Sequence, residues 1–229
     1  MPRSTSLLVL FDIDGTLIQT GRAGVRGMNA AFERLYGVVS ALDGTPIAGR
    51  TDRGIVSDVL RRIDRDPTDM EIVAVRDTYL SELPAELARP VAAPKCVLPG
   101  VEPLLDALSA RPDVAVGLLT GNFHGGAMIK LGYFDLWRRF TFGAFGDDHH
   151  ERRPLVARAV ERSGRSIAAD RIVIIGDTPL DVDCAQAYGA AAIGVTTGPY
   201  DAAALDAAGA QLVVRSLESP DVLRLLTGM

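Results

Sequence analysis

Residues 7–20 read LLVLFDIDGTLIQT. An apolar run of strand character ends in two aspartates one residue apart, Asp12 and Asp14. Packing does not explain them, because an unpaired carboxylate is costly to take out of water. Their position predicts a chemical task at the end of a buried strand. An Asx-type turn after the strand is the plainer reading of the pair taken alone.

The same rhythm recurs downstream. VAVGLLT (114–120), RIVIIGD (171–177) and AAIGVTT (191–197) are short, apolar and partly β-branched, with QLVVRS (211–216) a weaker strand. Helical patterns lie between them at 99–110, 154–164, 179–189, 202–210 and 219–228, several starting near Pro and ending at Gly. Continuous apolar strands alternating with helices predict a parallel sheet covered on both faces, an α/β fold with a Rossmann-like core. Residues from about 18 to 95 break the pattern. They hold three helical stretches, 25–37, 54–63 and 70–88, and no strong strand. We therefore expect a core of 1–18 and 96–229 and an inserted helical cap of 19–95, with joints near 19–24 and 92–100.

The chain has 229 residues, 48% of them hydrophobic, and a net charge of -5. That is ample for a sizeable core, and it argues against a nucleic-acid binder held by general positive charge. Cys96 and Cys184 lie far apart without CxxC spacing, so the expectation is two small buried thiols rather than a disulfide or zinc framework. No window reaches the roughly 18 apolar residues of a membrane span, and the first apolar run is cut short by Asp12. The expected setting is the cytoplasm, away from membranes.

In a parallel sheet, ligands bind beyond the carboxyl ends of the strands. Asp12 and Asp14 fall there. So do Thr120 after the 114–120 run and Asp177 after the 171–177 run, followed by a helix carrying Asp181 in its first turn. For Thr120 a strand-end residue is the plain alternative, and for Asp181 the charge bias of a helix start. Together, FDIDGTL (11–17), LLTGN (118–122) and IGDTPLDV (175–182) resemble the motifs of the haloacid dehalogenase superfamily of phosphohydrolases. The 19–95 insert resembles that family's helical cap, and GRTD (49–52) is similar to a cap segment of its phosphoglycolate-phosphatase-like branch.

The resemblance implies phosphoryl transfer. Asp12 would be the nucleophile, Asp14 the general acid and base, and Thr16 the residue orienting Asp14. Thr120 and the backbone N–H groups of Gly121 and Asn122 would hold phosphoryl oxygens. Mg²⁺ would sit on the Asp12 carboxylate, the Asp14 carbonyl and Asp177, with Asp181 a further ligand or a supporting acid. A carboxylate approaching a phosphate dianion meets repulsion of about 4 kcal/mol per charge pair at about 4 Å and an effective dielectric near 20, so a counter-cation is required. The family usually places a lysine before proline in its third motif. Here ERRPL (151–155) offers Arg152 or Arg153, and the choice stays open. Lys130, inside a helix after LLTGN, ranks well below both. Arg50 would reach a substrate's distal group or make a salt bridge within the cap. Asp147, Asp148, His149 and His150 invite a second-metal reading, but a solvated acidic loop before the third motif is the plainer one.

The expected substrate is a small phosphomonoester, and oligomeric state is open. A phosphomutase shares these motifs, and a non-catalytic ligand-binding member is a third reading. A dehalogenase is disfavoured by Asp14 and Asp177. A phosphonatase is disfavoured because the insert holds no lysine before Lys95.

Overall fold

A computed structural model describes residues 7–228. Six strands form one parallel sheet: β1 (Leu7–Phe11), β4 (Val114–Leu119), β5 (Gly143–Ala144), β6 (Ile172–Gly176), β7 (Ala191–Val195) and β8 (Leu212–Val214). Their spatial order is β5-β4-β1-β6-β7-β8. The first strand is therefore central, paired with Val114–Leu118 on one side and Ile172–Ile175 on the other. All five of its residues are buried. Alternation splits them, as the strand period demands. Leu7, Val9 and Phe11 join an apolar cluster with helices α4 (Val101–Ser109), α5 (His124–Tyr133) and α9 (Pro220–Gly228). Leu8 and Leu10 face α6 (Arg153–Arg162), α7 (Pro179–Tyr188) and α8 (Ala202–Ala207).

The strands at 114–120, 171–177, 191–197 and 211–216 are all present, slightly trimmed. Three others lay outside the sequence reading. β5 has only two residues, too few for a pattern. β2 (Ile18–Thr20) and β3 (Lys95–Val97) pair antiparallel, Ile18 opposite Val97. The sequence reading found no strong strand at the start of the insert, and the ribbon there is three residues long on each side. The ribbon stitches the chain's exit from the core to its return. Three residues on each side carry no readable period, and only their mutual pairing makes them strands. Cys96 is the middle residue of β3 and is exposed, whereas Cys184 is buried. The expectation of two buried thiols therefore fails for Cys96, which a two-stranded ribbon leaves on an open face.

Between β2 and β3 lie the three expected helices, α1 (Ala23–Tyr36), α2 (Asp52–Arg62) and α3 (Asp69–Ala88). Thr51 and Thr68 cap α2 and α3 by accepting from Gly54 N–H and Glu71 N–H. These helices share their own apolar cluster, including Phe32, Val56, Leu60, Val75, Tyr79 and Leu83. One member comes from the other side: Phe123, which caps α5 of the core, is 1% exposed within it. Glycines at 125 and 126 let Leu80 and Tyr79 of α3 lie directly on α5. No helix among the described residues is long and apolar enough to cross a membrane.

Leu10 is fully buried at the centre of the sheet. We expect Leu10→Ala to lower the free energy of unfolding by about 2–5 kcal/mol, measured from urea midpoints. An unchanged midpoint would contradict the central place of β1.

Candidate active site

After β1 the chain makes a tight turn in which the N–H groups of Thr16, Leu17 and Ile18 all point to Ile13 C=O. That turn lifts Asp12 and Asp14 to the carboxyl edge of the sheet. Gly15 makes the turn at φ 81°, a left-handed conformation that suits glycine. A Cβ there would also strike the Asp177 carboxylate, and one at Gly198 would do the same. Asp177, just past β6, is thus wedged between two backbones that have no side chain.

Asp12, Asp177 and Asp181 are all buried, and each has an oxygen within 4.8 Å of the others. Burial pushes the Asp12 carboxyl up to about 6. Arg152 opposes the rise, and Asp181 and Asp14 add to it. Asp177 is raised well above the usual carboxylate range by burial, then by Asp12 and Asp181. Asp12 Oδ1 lies 2.9 Å from the Arg152 guanidinium but makes no well-angled hydrogen bond among the described residues. Buried carboxylates therefore outnumber the buried guanidinium, and one oxygen is left open. A hard divalent cation fits this set of donors. Asp181 is already engaged: Oδ2 accepts from Thr178 N–H (3.1 Å) and the Thr178 hydroxyl (2.7 Å), and Oδ1 meets Arg152 at 2.5 Å. Its bonds suit the supporting role.

The structure separates the two arginines. Arg152, buried at the head of α6, donates to Asp181, to Leu119 C=O (3.2 Å) and to Gly49 C=O of the insert (2.8 Å). Arg153 is exposed and forms a two-pronged pair with Asp183 (2.7 and 2.5 Å). It is not brought to Asp12.

Thr120 is fully buried, and its Oγ1 accepts from Asn122 Nδ2 (2.8 Å) and from Asn122 N–H (3.3 Å). The Asn122 N–H is therefore partly spoken for. The Asn122 amide also donates to Asp14 Oδ2 at 2.9 Å. The Thr16 hydroxyl makes its long 3.4 Å bond to Asp177 Oδ1 rather than to Asp14, which corrects the expected orienting contact. The tight turn points that side chain toward β6. What holds Asp14 is Lys130, whose Nζ lies 2.6 Å from Asp14 Oδ2 and 2.6 Å from Asn122 Oδ1. Lys130 thus stays apart from Asp12, as its rank below the arginines implied, but its contact with Asp14 lay outside the sequence reading. Its signal was a single cation in the apolar run AMIKLGYF (127–134).

The insert seats closely on this edge. Asp52 N–H donates to Gly121 C=O (2.7 Å), and the Asp52 carboxylate accepts from Phe123 N–H (2.8 Å). The Thr51 hydroxyl donates to His150 C=O at 2.6 Å. A Cβ at Gly121 would collide with Arg50 C=O. Burial pushes the Asp52 carboxyl up to about 6, opposed by Lys130 and the Phe123 N–H. The Arg50 side chain pairs with Asp58 within the insert (2.6 Å) and also borders the cleft. Asp147 accepts from His124 N–H and Asp148 binds Arg162, so neither is a spare ligand. His149, His150 and Glu151 cluster at the surface. The His124 ring packs edge-on to Phe145 at 4.6 Å. Between insert and core lies a cleft of about 530 Å³. Asp12, Asp14 and Asp177 line its floor, and Met28, Leu42 and Ile47 its roof.

A sequence profile described as haloacid dehalogenase-like hydrolase matches residues 9–186. A phosphoglycolate phosphatase of Agrobacterium fabrum is 28% identical over 207 residues, which cover 87% of this chain and 84% of that protein. A hydrolase from Pseudomonas syringae superposes with a TM-score of 0.70 at 21% identity, over 98% of this chain and 99% of its own. A candidate β-phosphoglucomutase of Bacteroides vulgatus gives 0.69 at 23% identity, over 99% and 91%. At these identities the two structural likenesses are of fold.

The raised carboxyls set a pH dependence. Without metal, folded Asp12 holds its proton to about pH 6, whereas an unfolded aspartate loses it near pH 4. The folded state binds more protons across that window, so stability falls as pH rises through it, on the order of 3 kcal/mol from this group. A cation competes with those protons. We expect Mg²⁺ to raise the melting temperature of the metal-free protein at pH 7 and to have little effect at pH 4.5, by calorimetry.

Proposed function

The chain belongs to the haloacid dehalogenase-like hydrolases, and we propose that it is a Mg²⁺-dependent phosphatase that hydrolyses a small phosphomonoester through an aspartyl-phosphate on Asp12. The observation that carries this reading is the buried group of Asp12, Asp177 and Asp181 facing a single buried guanidinium at the floor of the cleft between insert and core. Asp12, Asp177 and the Asp14 carbonyl would hold the metal. Bound there, it supplies positive charge that offsets the repulsion between nucleophile and phosphoryl group.

Asp12 attacks phosphorus, and the bond from phosphorus to the ester oxygen breaks. Asp14, with its side chain 41% exposed, gives its proton to the departing oxygen. It then takes a proton from the water that attacks the phospho-aspartate, which returns Asp12 as a carboxylate and releases phosphate. The Thr120 oxygen already accepts two bonds from Asn122. Its hydroxyl hydrogen is the donor for a phosphoryl oxygen. Arg152 holds Asp12 and Asp181 in place and ties them to Gly49 of the insert. The insert roofs the cleft and, closing further on bound substrate, would keep bulk water from the intermediate. Its apolar roof contacts the leaving group. The phosphoglycolate phosphatase relative makes phosphoglycolate the first natural ester to try.

Phosphate release from para-nitrophenyl phosphate and phosphoglycolate should require Mg²⁺ and stop in EDTA. Asp12→Asn should lower kcat on the order of 10⁴-fold or more. Turnover that survives either change would overturn the mechanism. Transfer of the phosphoryl group to a second hydroxyl of the substrate, seen by product analysis, would make the enzyme a mutase.

A further inference from the structure

We infer that Lys130 is the positioning residue for Asp14, fixing one carboxylate oxygen so that the other meets the leaving group. This rests on the proposed role of Asp14 as the acid. Among the described residues, both bonds that hold the Asp14 carboxylate arrive at the same atom: Oδ2 accepts from Lys130 Nζ (2.6 Å) and from Asn122 Nδ2 (2.9 Å). Oδ1 is left to the cleft. Lys130 also anchors the second of these donors, because its Nζ meets Asn122 Oδ1 (2.6 Å). Asn122 Nδ2 in turn reaches Thr120 Oγ1 (2.8 Å). One ammonium thus sets the Asp14 carboxylate directly and the Thr120 hydroxyl through one amide.

The ammonium is well placed to be rigid. It is 5% exposed, on a helix whose neighbours are apolar. The insert completes its enclosure. Tyr79 and Asp52 face it from α3 and the start of α2, and α1 passes so close at Gly24 that a Cβ there would lie 3.1 Å from Nζ. Buried donors locked by their surroundings hold a reacting group far more narrowly than solvated ones, and small misplacements of such a group cost rate. Arg152 guards the nucleophile on one side of the cleft floor, and Lys130 guards the proton donor on the other. A merely structural lysine would stabilise the closed insert equally for every substrate. A positioning lysine acts only where a proton must be delivered.

The experiment compares two aryl esters of one shape, para-nitrophenyl phosphate and phenyl phosphate. Nitrophenolate leaves without help. Phenolate, with a conjugate acid near pKa 10 like tyrosine, needs a proton. The readout is kcat/KM with Mg²⁺, because it reports steps only through loss of the leaving group. We expect Lys130→Met to lower it roughly 100-fold for phenyl phosphate and less than about 5-fold for para-nitrophenyl phosphate. Asp14→Asn should show the same imbalance, larger. Lys130→Gln keeps a donor of similar reach and should fall between native and Met. It serves as the test should Lys130→Met fail to fold, as judged by circular dichroism. Equal losses on both esters for the Lys130 variants, with the imbalance present in Asp14→Asn, would overturn the role of Lys130 alone. No imbalance in Asp14→Asn, or no turnover of either ester by the native protein, would overturn it together with the reading it rests on.

Discussion

Everything at the carboxyl edge of the sheet depends on one constraint: three carboxylates are buried around a single guanidinium. Arg152 lies 2.9 Å from Asp12 and 2.5 Å from Asp181, and its remaining bonds go to main-chain carbonyls of core and insert. Paired burial of this kind is seldom a net source of stability, because desolvation consumes most of the attraction. Here the pairing does not even close, since Asp12 Oδ1 and Arg152 Nε keep no well-formed partner among the described residues. The imbalance is tolerable in a site that expects further charge, and the surrounding fold holds it in place. The central strand, the wedge formed by Gly15 and Gly198, and the Thr178 bonds to Asp181 each prevent a carboxylate from swinging out to water.

The insert is part of the same arrangement. Its contact with the core is polar and specific at the start of α2, where Thr51 and Asp52 reach His150, Gly121 and Phe123. Glycine at 121 permits the approach, because Arg50 C=O occupies the space a side chain would need. The insert therefore roofs the cleft that holds both the buried nucleophile and the part-exposed proton donor.

The sequence made the core legible because strand ends and chemistry coincide along the chain. Asp12, Thr120 and Asp177 each follow a run of buried residues, and a parallel sheet must bring such ends to one edge. The three cap helices were legible from their spacing. What escaped was set by distance rather than pattern. β2 and β3 are strands only because residues almost eighty positions apart pair. Arg152 and Arg153 are neighbours with opposite fates, decided by which one the first turn of α6 aims inward. Lys130 is 116 residues from Asp14, and only the passage of α5 beneath that turn brings them together. Thr16 carries a family motif, yet its hydroxyl follows the turn toward Asp177. The exposure of Cys96 follows from the ribbon, which the sequence did not announce.

Phe123 has a consequence for how the insert holds to the core. It caps the core helix α5 but is buried among the side chains of the insert. Any motion that parts the two bodies must withdraw this ring into water, which costs about 1.5–3 kcal/mol. That alone skews the open-to-shut ratio by roughly ten- to a hundredfold. The ring therefore biases the pair of bodies toward contact, and it does so at the seam rather than in the cleft floor. The cost of parting them at this seam is then a property of residue 123 rather than of the carboxylates below it.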